Sequence, residues 1–151
     1  MDPVELIVIE PARTDDLEGI SSFLEEHRLP PDGLEAHLST ALVARRGEEL
    51  VGCAALEVYE GAVLLRSVAV RPSLRGLGLG SQLVWSCLDM ARQSGANLVY
   101  LLTETAADYF RRFGFETTER GQVHPAVKRS LEFTEACPED AQAMVLILPH
   151  G

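Results

Sequence analysis

The chain has 151 residues, of which 46% are hydrophobic and 24% charged, and its formal net charge is −10. This length and composition predict one globular domain spanning residues 1–151 and exclude a disordered chain. The 23 acidic and 13 basic residues disfavour a nucleic-acid partner, because phosphate binding needs a basic face. No apolar run reaches the roughly 20 residues of a membrane-spanning helix, and the N-terminus lacks a signal peptide's basic start. We therefore expect a cytoplasmic protein without a membrane partner.

Cysteine and histidine are too widely spaced to indicate a metal site or a disulfide framework. The residues concerned are Cys53, Cys87, Cys137, His27, His37, His124 and His150. We expect buried free thiols and no metal.

The N-terminal third predicts one strand followed by two helices. Residues 4–10 alternate as a strand does, and a helix begins near Asp15, where apolar side chains recur with helical period. Residues 30–33 (PPDG) break the chain, and a second short helix is expected at about 33–40.

The rest of the chain predicts the order strand, strand, strand, helix, strand, helix, strand. The expected bounds are two strands on either side of residues 46–49, a strand after residue 61, a helix at about 80–94, a strand at 97–103, a helix at 106–113 and a strand at 141–148. Arg45 and Arg46 adjoin the first turn, and we expect both to be solvated. The order βααβββαβαβ is typical of an α/β (α+β) domain in which helices flank a mixed, mostly antiparallel sheet.

The segment VAVRPSLRGLGLGSQLV, residues 68–84, places three glycines between a strand and a helix. The first amides of a helix have no internal partner and lie at the positive end of its dipole, and glycines let several amides converge on one anion. The segment therefore predicts a phosphate cradle, with Arg71 or Arg75 adding charge and the intervening leucines pointing inward. A purely structural turn is the alternative. No lysine follows the glycines, which excludes a P-loop, and the position in the chain is wrong for a dinucleotide fingerprint.

The pattern Arg75-x-x-Gly78-x-Gly80 in this position resembles the acetyl-CoA-binding motif of the GNAT acetyltransferase superfamily. The resemblance implies that this turn binds the pyrophosphate of acetyl-CoA and that the preceding strand pairs with the pantetheine arm. It gives as cofactor-binding residues Val68, Ala69, Val70, Arg75, Gly76, Leu77, Gly78, Leu79, Gly80, Ser81 and Phe110.

A second segment, Thr103-x-x-Ala106-x-x-x-Phe110-x-x-x-Gly114-Phe115, is similar to a later motif of the superfamily. Its usual asparagine falls on Thr103, and the tyrosine that protonates the leaving thiolate falls on Phe110. Tyr109 lies about 100° away around a helix, so we do not expect it to substitute directly. A thiol is already a tolerable leaving group near neutral pH, so this loss slows the reaction at most modestly.

More narrowly, the segments RLPPDGLEAHL, LVGCAALEVY, LLRSVAV, LLTETAADYFRRFGF and EFTEACPEDAQAMV resemble the arsenic-resistance-associated N-acetyltransferases. That resemblance implies an amino-acid-like acceptor, including arsenical or phosphinic amino acids, and a role in detoxification.

An acceptor ammonium must lose its proton before it attacks a thioester, so we looked for a general base. Glu57, a lone acid in the apolar segment CAALEVY, is the first candidate, and Glu104 at the end of the fifth strand is the second. The alternative for Glu57 is a structural role on its strand.

Arg66 interrupts an otherwise apolar strand, and alternation places it on one face with Val68 and Val70. A buried arginine needs a carboxylate partner, which is either Glu57 or an anionic group of the substrate. The other residues expected near the acceptor are Leu29, Leu34 and Thr103, with packing of the loop as the alternative for the two leucines.

These observations predict an enzyme that transfers acetyl directly from acetyl-CoA to the primary amine of a small acceptor in a ternary complex. The sequence also leaves open whether the chain forms a homodimer. Three other functions remain open: a peptide or protein N-terminal acetyltransferase, a non-catalytic acyl-CoA-binding regulator and a purely structural interaction module.

Overall fold

The computed structural model describes residues 6–130 and 141–149. The strands are β1 (Ile7–Pro11), β2 (Ala41–Arg46), β3 (Glu49–Tyr59), β4 (Ala62–Val70), β5 (Leu98–Thr103), β6 (Glu116–Thr118) and β7 (Gln142–Ile147). The α-helices are α1 (Leu17–Glu26), α2 (Leu79–Gln93) and α3 (Ala107–Arg111). All seven strands form one sheet in the order β1-β2-β3-β4-β5-β7-β6.

The expected mixed sheet with flanking helices is confirmed, with two differences in detail. Leu34–Thr40, predicted as a short helix, is 3₁₀-helical. The short strand β6 was not predicted, because Glu116–Thr118 is polar and lacks alternation. Its pairing with β7 makes it a strand.

The sheet divides where β4 meets β5, the one parallel pair among the described strands. Only Ala62–Leu64 of β4 pairs with Leu98–Tyr100 of β5. Beyond these residues the two strands separate, although β5 remains paired with β7 along its full length. This divergence opens a cleft in the middle of the sheet.

A bulge in β4 changes which side chains share a face of the sheet. Ala55 lies opposite Arg66 and Cys53 opposite Ala69, so two residues of β4 face one of β3, and Ser67 adopts a left-handed φ of 61°. Arg66 therefore shares a face with Ala69. The prediction that Arg66 shares a face with Val68 and Val70 is wrong, because the extra residue reverses the alternation.

Helices cover both faces of the sheet. One core lies under α2 and α3 and includes Leu83, Leu88 and Phe115. The other lies under α1 and includes Ile20 and Leu24.

The two described cysteines lie within these layers. Cys53 and Cys87 are buried free thiols, as predicted, and burial raises the pKa of each to about 12. Cys137 lies outside the described residues.

Within residues 6–130 and 141–149, no helix combines the length and the apolar character needed to cross a bilayer.

Candidate active site

The cleft between the diverging ends of β4 and β5 has a volume of about 1250 Å³. Its walls come from β4, from β5 with the start of α3, from the glycine turn and from the segment that follows α1. The predicted site residues that line it are Leu29, Arg66, Val68, Ala69, Val70, Arg75, Gly76, Gly78, Gly80, Ser81, Thr103, Glu104 and Phe110. The predicted site residues outside its lining are Leu34, Glu57, Leu77 and Leu79.

The glycine turn has the backbone geometry of an anion cradle. Gly76 and Gly78 adopt left-handed φ angles of 85° and 86°, and Gly78 is the N-cap of α2. A Cβ atom at either position would meet no atom within 4 Å, so open space lies beside the backbone. The unpaired amides of the first turn of α2 lie at this end of the cleft.

The two leucines of the turn behave differently. Leu79 is 5% exposed and packs in the core, as predicted, whereas Leu77 is 71% exposed. The prediction for Leu77 is wrong because the left-handed glycines on either side turn its side chain to solvent.

Gly80 is constrained by a side chain from α3. A Cβ at this position would lie 2.9 Å from the hydroxyl oxygen of Tyr109, which leaves no room for any other residue without movement of the ring. The third glycine thus lets α3 approach the start of α2.

Tyr109 and Phe110 both line the cleft. The Tyr109 ring meets Phe110 and Phe113 edge to face, and the Arg112 guanidinium lies 4.6 Å from its centroid. The sequence placed Tyr109 away from the reaction because it lies one position from Phe110 on a helix. The five-residue helix α3 instead lies with both rings at the cleft.

The end of β5 brings two more predicted residues to the cleft. Thr103 accepts a hydrogen bond from the Ala106 amide at 2.9 Å through its hydroxyl, which holds the turn into α3. Glu104 follows it, exposed at the cleft wall.

Glu57 lies outside the cleft in a buried ion pair. Its carboxylate is 2.7 Å from Nη1 of Arg66, and both side chains are almost completely buried, at 1% and 0% exposed. Tyr59 donates a hydrogen bond to it at 2.5 Å, and Ser130 donates another. Burial raises the pKa of Glu57, but the hydrogen bonds from Ser130, Tyr59 and Arg66 outweigh this effect, so the net pKa is below its usual value. This geometry fits the internal partner of Arg66, and the role of general base stays a prediction.

Arg66 fastens the loop after α1 to the sheet. Its guanidinium donates to the carbonyl oxygens of Asp32 at 2.7 Å and Pro30 at 3.0 Å. Its Nε donates to the hydroxyl of Ser67 at 2.9 Å. These contacts and the ion pair with Glu57 fix the loop after α1, and the role of Arg66 in binding a substrate anion stays a prediction.

The two leucines expected near the acceptor lie apart. Leu29 is half-buried at the cleft wall. Leu34 is 1% exposed and packs with the residues under α1, which fits the alternative of loop packing, and its place near the acceptor stays a prediction.

Several cleft residues were not predicted as site residues from the sequence, namely His27, Arg28 and Arg112. No spacing or motif distinguishes them. The one available signal for Arg28 was its place directly before the break at Pro30-Pro31.

The mixed sheet opens beside a glycine turn at a helix N-terminus, and comparison with known proteins identifies the class of protein that has this arrangement. The model of the acetyltransferase (GNAT) family matches residues 9–115. The chain belongs to the GNAT family of acetyltransferases, which are acyltransferase enzymes.

Among curated proteins, the chain is similar to the [citrate [pro-3S]-lyase] ligase of Klebsiella pneumoniae, with 34% identity over 113 residues. It is also similar to the amino-acid acetyltransferase of Aeromonas salmonicida, with 30% identity over 122 residues. These matches cover 74% and 73% of the chain but only 30% and 28% of the relatives, so the chain spans less than a third of their length.

Among solved structures, the Mycobacterium tuberculosis protein Rv2747 in complex with CoA and NLQ superposes with a TM-score of 0.77 and 26% identity, covering 94% of this chain and 99% of that one. The N-acetylglutamate synthase of Neisseria gonorrhoeae, complexed with coenzyme A and N-acetyl-glutamate, shares the fold with a TM-score of 0.80 at 22% identity. That match covers 96% of this chain and 36% of the synthase.

Proposed function

We propose that this protein transfers the acetyl group of acetyl-CoA to the primary amine of a small amino-acid-like acceptor. The observation that carries the proposal is the cleft between β4 and β5, which ends at the left-handed glycine turn and the N-terminus of α2.

In the proposed complex, the amides of the glycine turn and the first turn of α2 hold the pyrophosphate of acetyl-CoA. The open positions beside Gly76 and Gly78 leave room for phosphate oxygens to approach the backbone, and Arg75 adds positive charge at the cleft wall. The edge of β4 beyond Leu64, which has no pairing with β5, binds the pantetheine arm.

The reaction is direct acyl transfer. The neutral amine attacks the thioester carbonyl, a C–N bond forms and the C–S bond breaks. The attacking nitrogen loses one proton to give the neutral amide, and the coenzyme leaves as a thiolate that takes up a proton. The amides at the bulge of β4 polarise the carbonyl as negative charge develops on its oxygen.

Proton removal is assigned to Glu104. Among the described residues that line the cleft, Glu104 is the acidic one, and an α-amine with a pKa near 8 needs only a modest base, acting directly or through water. Tyr109, whose hydroxyl reaches the cleft beside Gly80, takes the place of the tyrosine missing at Phe110 for interactions with the coenzyme.

The acceptor class is supported by similarity to amino-acid acetyltransferases at about 30% identity. The narrower proposal, that arsenical or phosphinic amino acids are acetylated in detoxification, rests on the sequence resemblance alone.

The experiment compares Gly78→Glu with Gly95→Glu. Both glycines are exposed, adopt left-handed φ angles and would place a Cβ in open space, so the two variants share strain and charge. Only Gly78 lines the cleft. Gly78→Glu should weaken acetyl-CoA binding at least tenfold in calorimetric titration, because the new carboxylate lies at the anion site and repels the pyrophosphate. Gly95→Glu should bind acetyl-CoA with normal affinity.

Thiol release with a panel of amino acids, phosphinothricin-like compounds and peptides then tests the reaction. Binding of acetyl-CoA without turnover on any amine would indicate a non-catalytic regulator. Preference for peptides over free amino acids would indicate an N-terminal acetyltransferase. Equal acetyl-CoA affinity in Gly78→Glu and the wild type would refute the cradle.

A further inference from the structure

We infer that Arg28 is the cleft residue that binds a carboxylate of the acceptor. This inference rests on the proposed function and adds the chemical feature by which the acceptor is recognised.

The backbone at Arg28 is unusual for a side-chain-bearing residue. Helix α1 closes with two hydrogen bonds, from the amide of Leu29 to the carbonyl of Leu24 at 2.9 Å and from the amide of Arg28 to the carbonyl of Glu25 at 3.1 Å. In this helix-ending motif the residue at the position of Arg28 is left-handed and is usually glycine. Arg28 has a φ of 59° there, which disfavours it relative to glycine. Strain of this kind is concentrated at functional sites.

The side chain of Arg28 is exposed at the cleft wall and is not neutralised by the protein. Its guanidinium makes no hydrogen bond or ion pair with another side chain in the described part of the chain. The backbone that follows it is fixed, because Arg66 binds the carbonyls of Pro30 and Asp32. A free guanidinium on a fixed backbone is suited to binding a carboxylate through two parallel hydrogen bonds.

The charge of the cleft is opposite to that of the chain. Among the described residues, the lining contains Arg28, Arg66, Arg75 and Arg112 but one acid, Glu104, within a chain of net charge −10. Glu57 neutralises Arg66, and Arg75 and Arg112 lie on the glycine turn and beside Tyr109, where the phosphates are proposed to bind. Arg28 belongs to a different part of the lining, the segment that follows α1, so we assign it to the acceptor and not to the coenzyme.

Interaction with the C-terminal dipole of α1 is the competing explanation for Arg28. The two roles differ in their consequences. A dipole role affects stability alone, whereas carboxylate binding affects the KM of acceptors that carry a carboxylate.

The test measures kinetics for Arg28→Gln, Arg28→Gly and Arg28→Lys with amino acids and the corresponding amino-acid amides. Loss of a hydrogen-bonded charge pair should raise the KM of the amino acids about 10- to 100-fold, with kcat, the KM of acetyl-CoA and the KM of the amides little changed. Arg28→Lys should retain part of the preference. Arg28→Gly should raise the thermal midpoint by about 2–4 °C while losing the preference, since glycine relieves the left-handed strain.

Arg92→Gln is the matched control, because Arg92 is an exposed arginine of α2 outside the cleft lining and its loss changes the net charge equally. Equal amino-acid KM values in Arg28→Gln and Arg92→Gln would overturn the inference. If no amine is acetylated, the proposed function fails. The role of Arg28 in carboxylate binding is then tested separately, by calorimetric titration of the CoA-saturated protein with N-acetylated amino acids and their amides. Carboxylate-dependent binding that Arg28→Gln abolishes supports the inference, and its absence in the wild type refutes it.

Discussion

At the scale of single residues, Glu57 and Arg66 form a buried ion pair that the surrounding polar groups complete. Both charges are removed from water, and each is compensated by the other and by neighbouring polar groups, including Tyr59 and Ser130. A buried pair of this kind adds little net stability over an apolar pair, but losing one partner leaves an uncompensated buried charge.

We expect Glu57→Gln to lower the free energy of unfolding by about 3–5 kcal/mol, because Arg66 then lacks its counter-charge. Denaturation in urea measures this loss. The acetylation rate of the folded variant should keep its pH dependence, whereas Glu104→Gln should leave stability nearly unchanged and alter the pH–rate profile. If Glu57→Gln instead has normal stability and its acetylation rate no longer depends on a deprotonated group in the pH–rate profile, Glu57 is the base.

At the scale of secondary-structure elements, the contact between α2 and α3 depends on one missing Cβ. Gly80 in the first turn of α2 lies against the hydroxyl of Tyr109 in α3, at the wall of the cleft. The sequence identified Gly80 as part of an anion turn, but its packing partner lies 29 residues away and carries no local signal.

We expect Gly80→Ala to weaken acetyl-CoA binding, because the new methyl group displaces the Tyr109 ring into the cleft. Tyr109→Phe removes the oxygen that clashes. The double variant Gly80→Ala/Tyr109→Phe should therefore lose less acetyl-CoA binding free energy than the two single variants lose together. A double-mutant cycle measured by calorimetry should give a coupling of about 0.5–3 kcal/mol.

Gly19→Ala in α1 is the control, since its Cβ meets nothing within 4 Å. It should stabilise the protein by about 0.5–1 kcal/mol and leave acetyl-CoA binding unchanged. Additive effects of Gly80→Ala and Tyr109→Phe would show that the two residues do not interact.

The strands themselves were largely predictable, whereas the bulge in β4 was not. Apolar alternation marks where a strand lies, but an extra residue appears only when two strands are paired. Ser67 carries no sequence feature that requires its left-handed φ of 61°, so the face of Arg66 was assigned wrongly.

At the scale of the whole molecule, a half-buried arginine of β2 joins β1 to the residues just before α1. Arg45, expected to be solvated, donates to Glu10 of β1 at 2.9 Å and to Asp16 before α1 at 2.5 Å. Burial raises the pKa of Asp16, but hydrogen bonds from the Arg13 amide and Arg45 outweigh this effect and leave the pKa below its usual value of 3.8.

Stability should therefore fall in acid. Groups with lowered folded pKa values stabilise the protein fully above their unfolded values, 3.8 for Asp16 and 4.5 for Glu57, and lose this effect as the pH falls through their folded values. Urea denaturation between pH 6 and about pH 3 should show a decline below about pH 4.5 that is shallower in Asp16→Asn. Asp108→Asn, at a carboxylate 99% exposed, should retain the wild-type slope, and an unchanged slope in Asp16→Asn would contradict this account.

The sequence by itself determined the order of strands and helices, the glycine turn and its relation to the GNAT family, because these depend on local periodicity and on residues close together in the chain. Tertiary structure decided the partner of Glu57, the exposure of Leu77, the place of Tyr109 at the cleft and the free guanidinium of Arg28. The partner of Glu57 and the place of Tyr109 depend on which distant groups come within a few ångströms, as the carbonyls of Pro30 and Asp32 come to Arg66. Hydrogen bonding and desolvation act over such distances in space, and the spacing of residues along the chain does not record them.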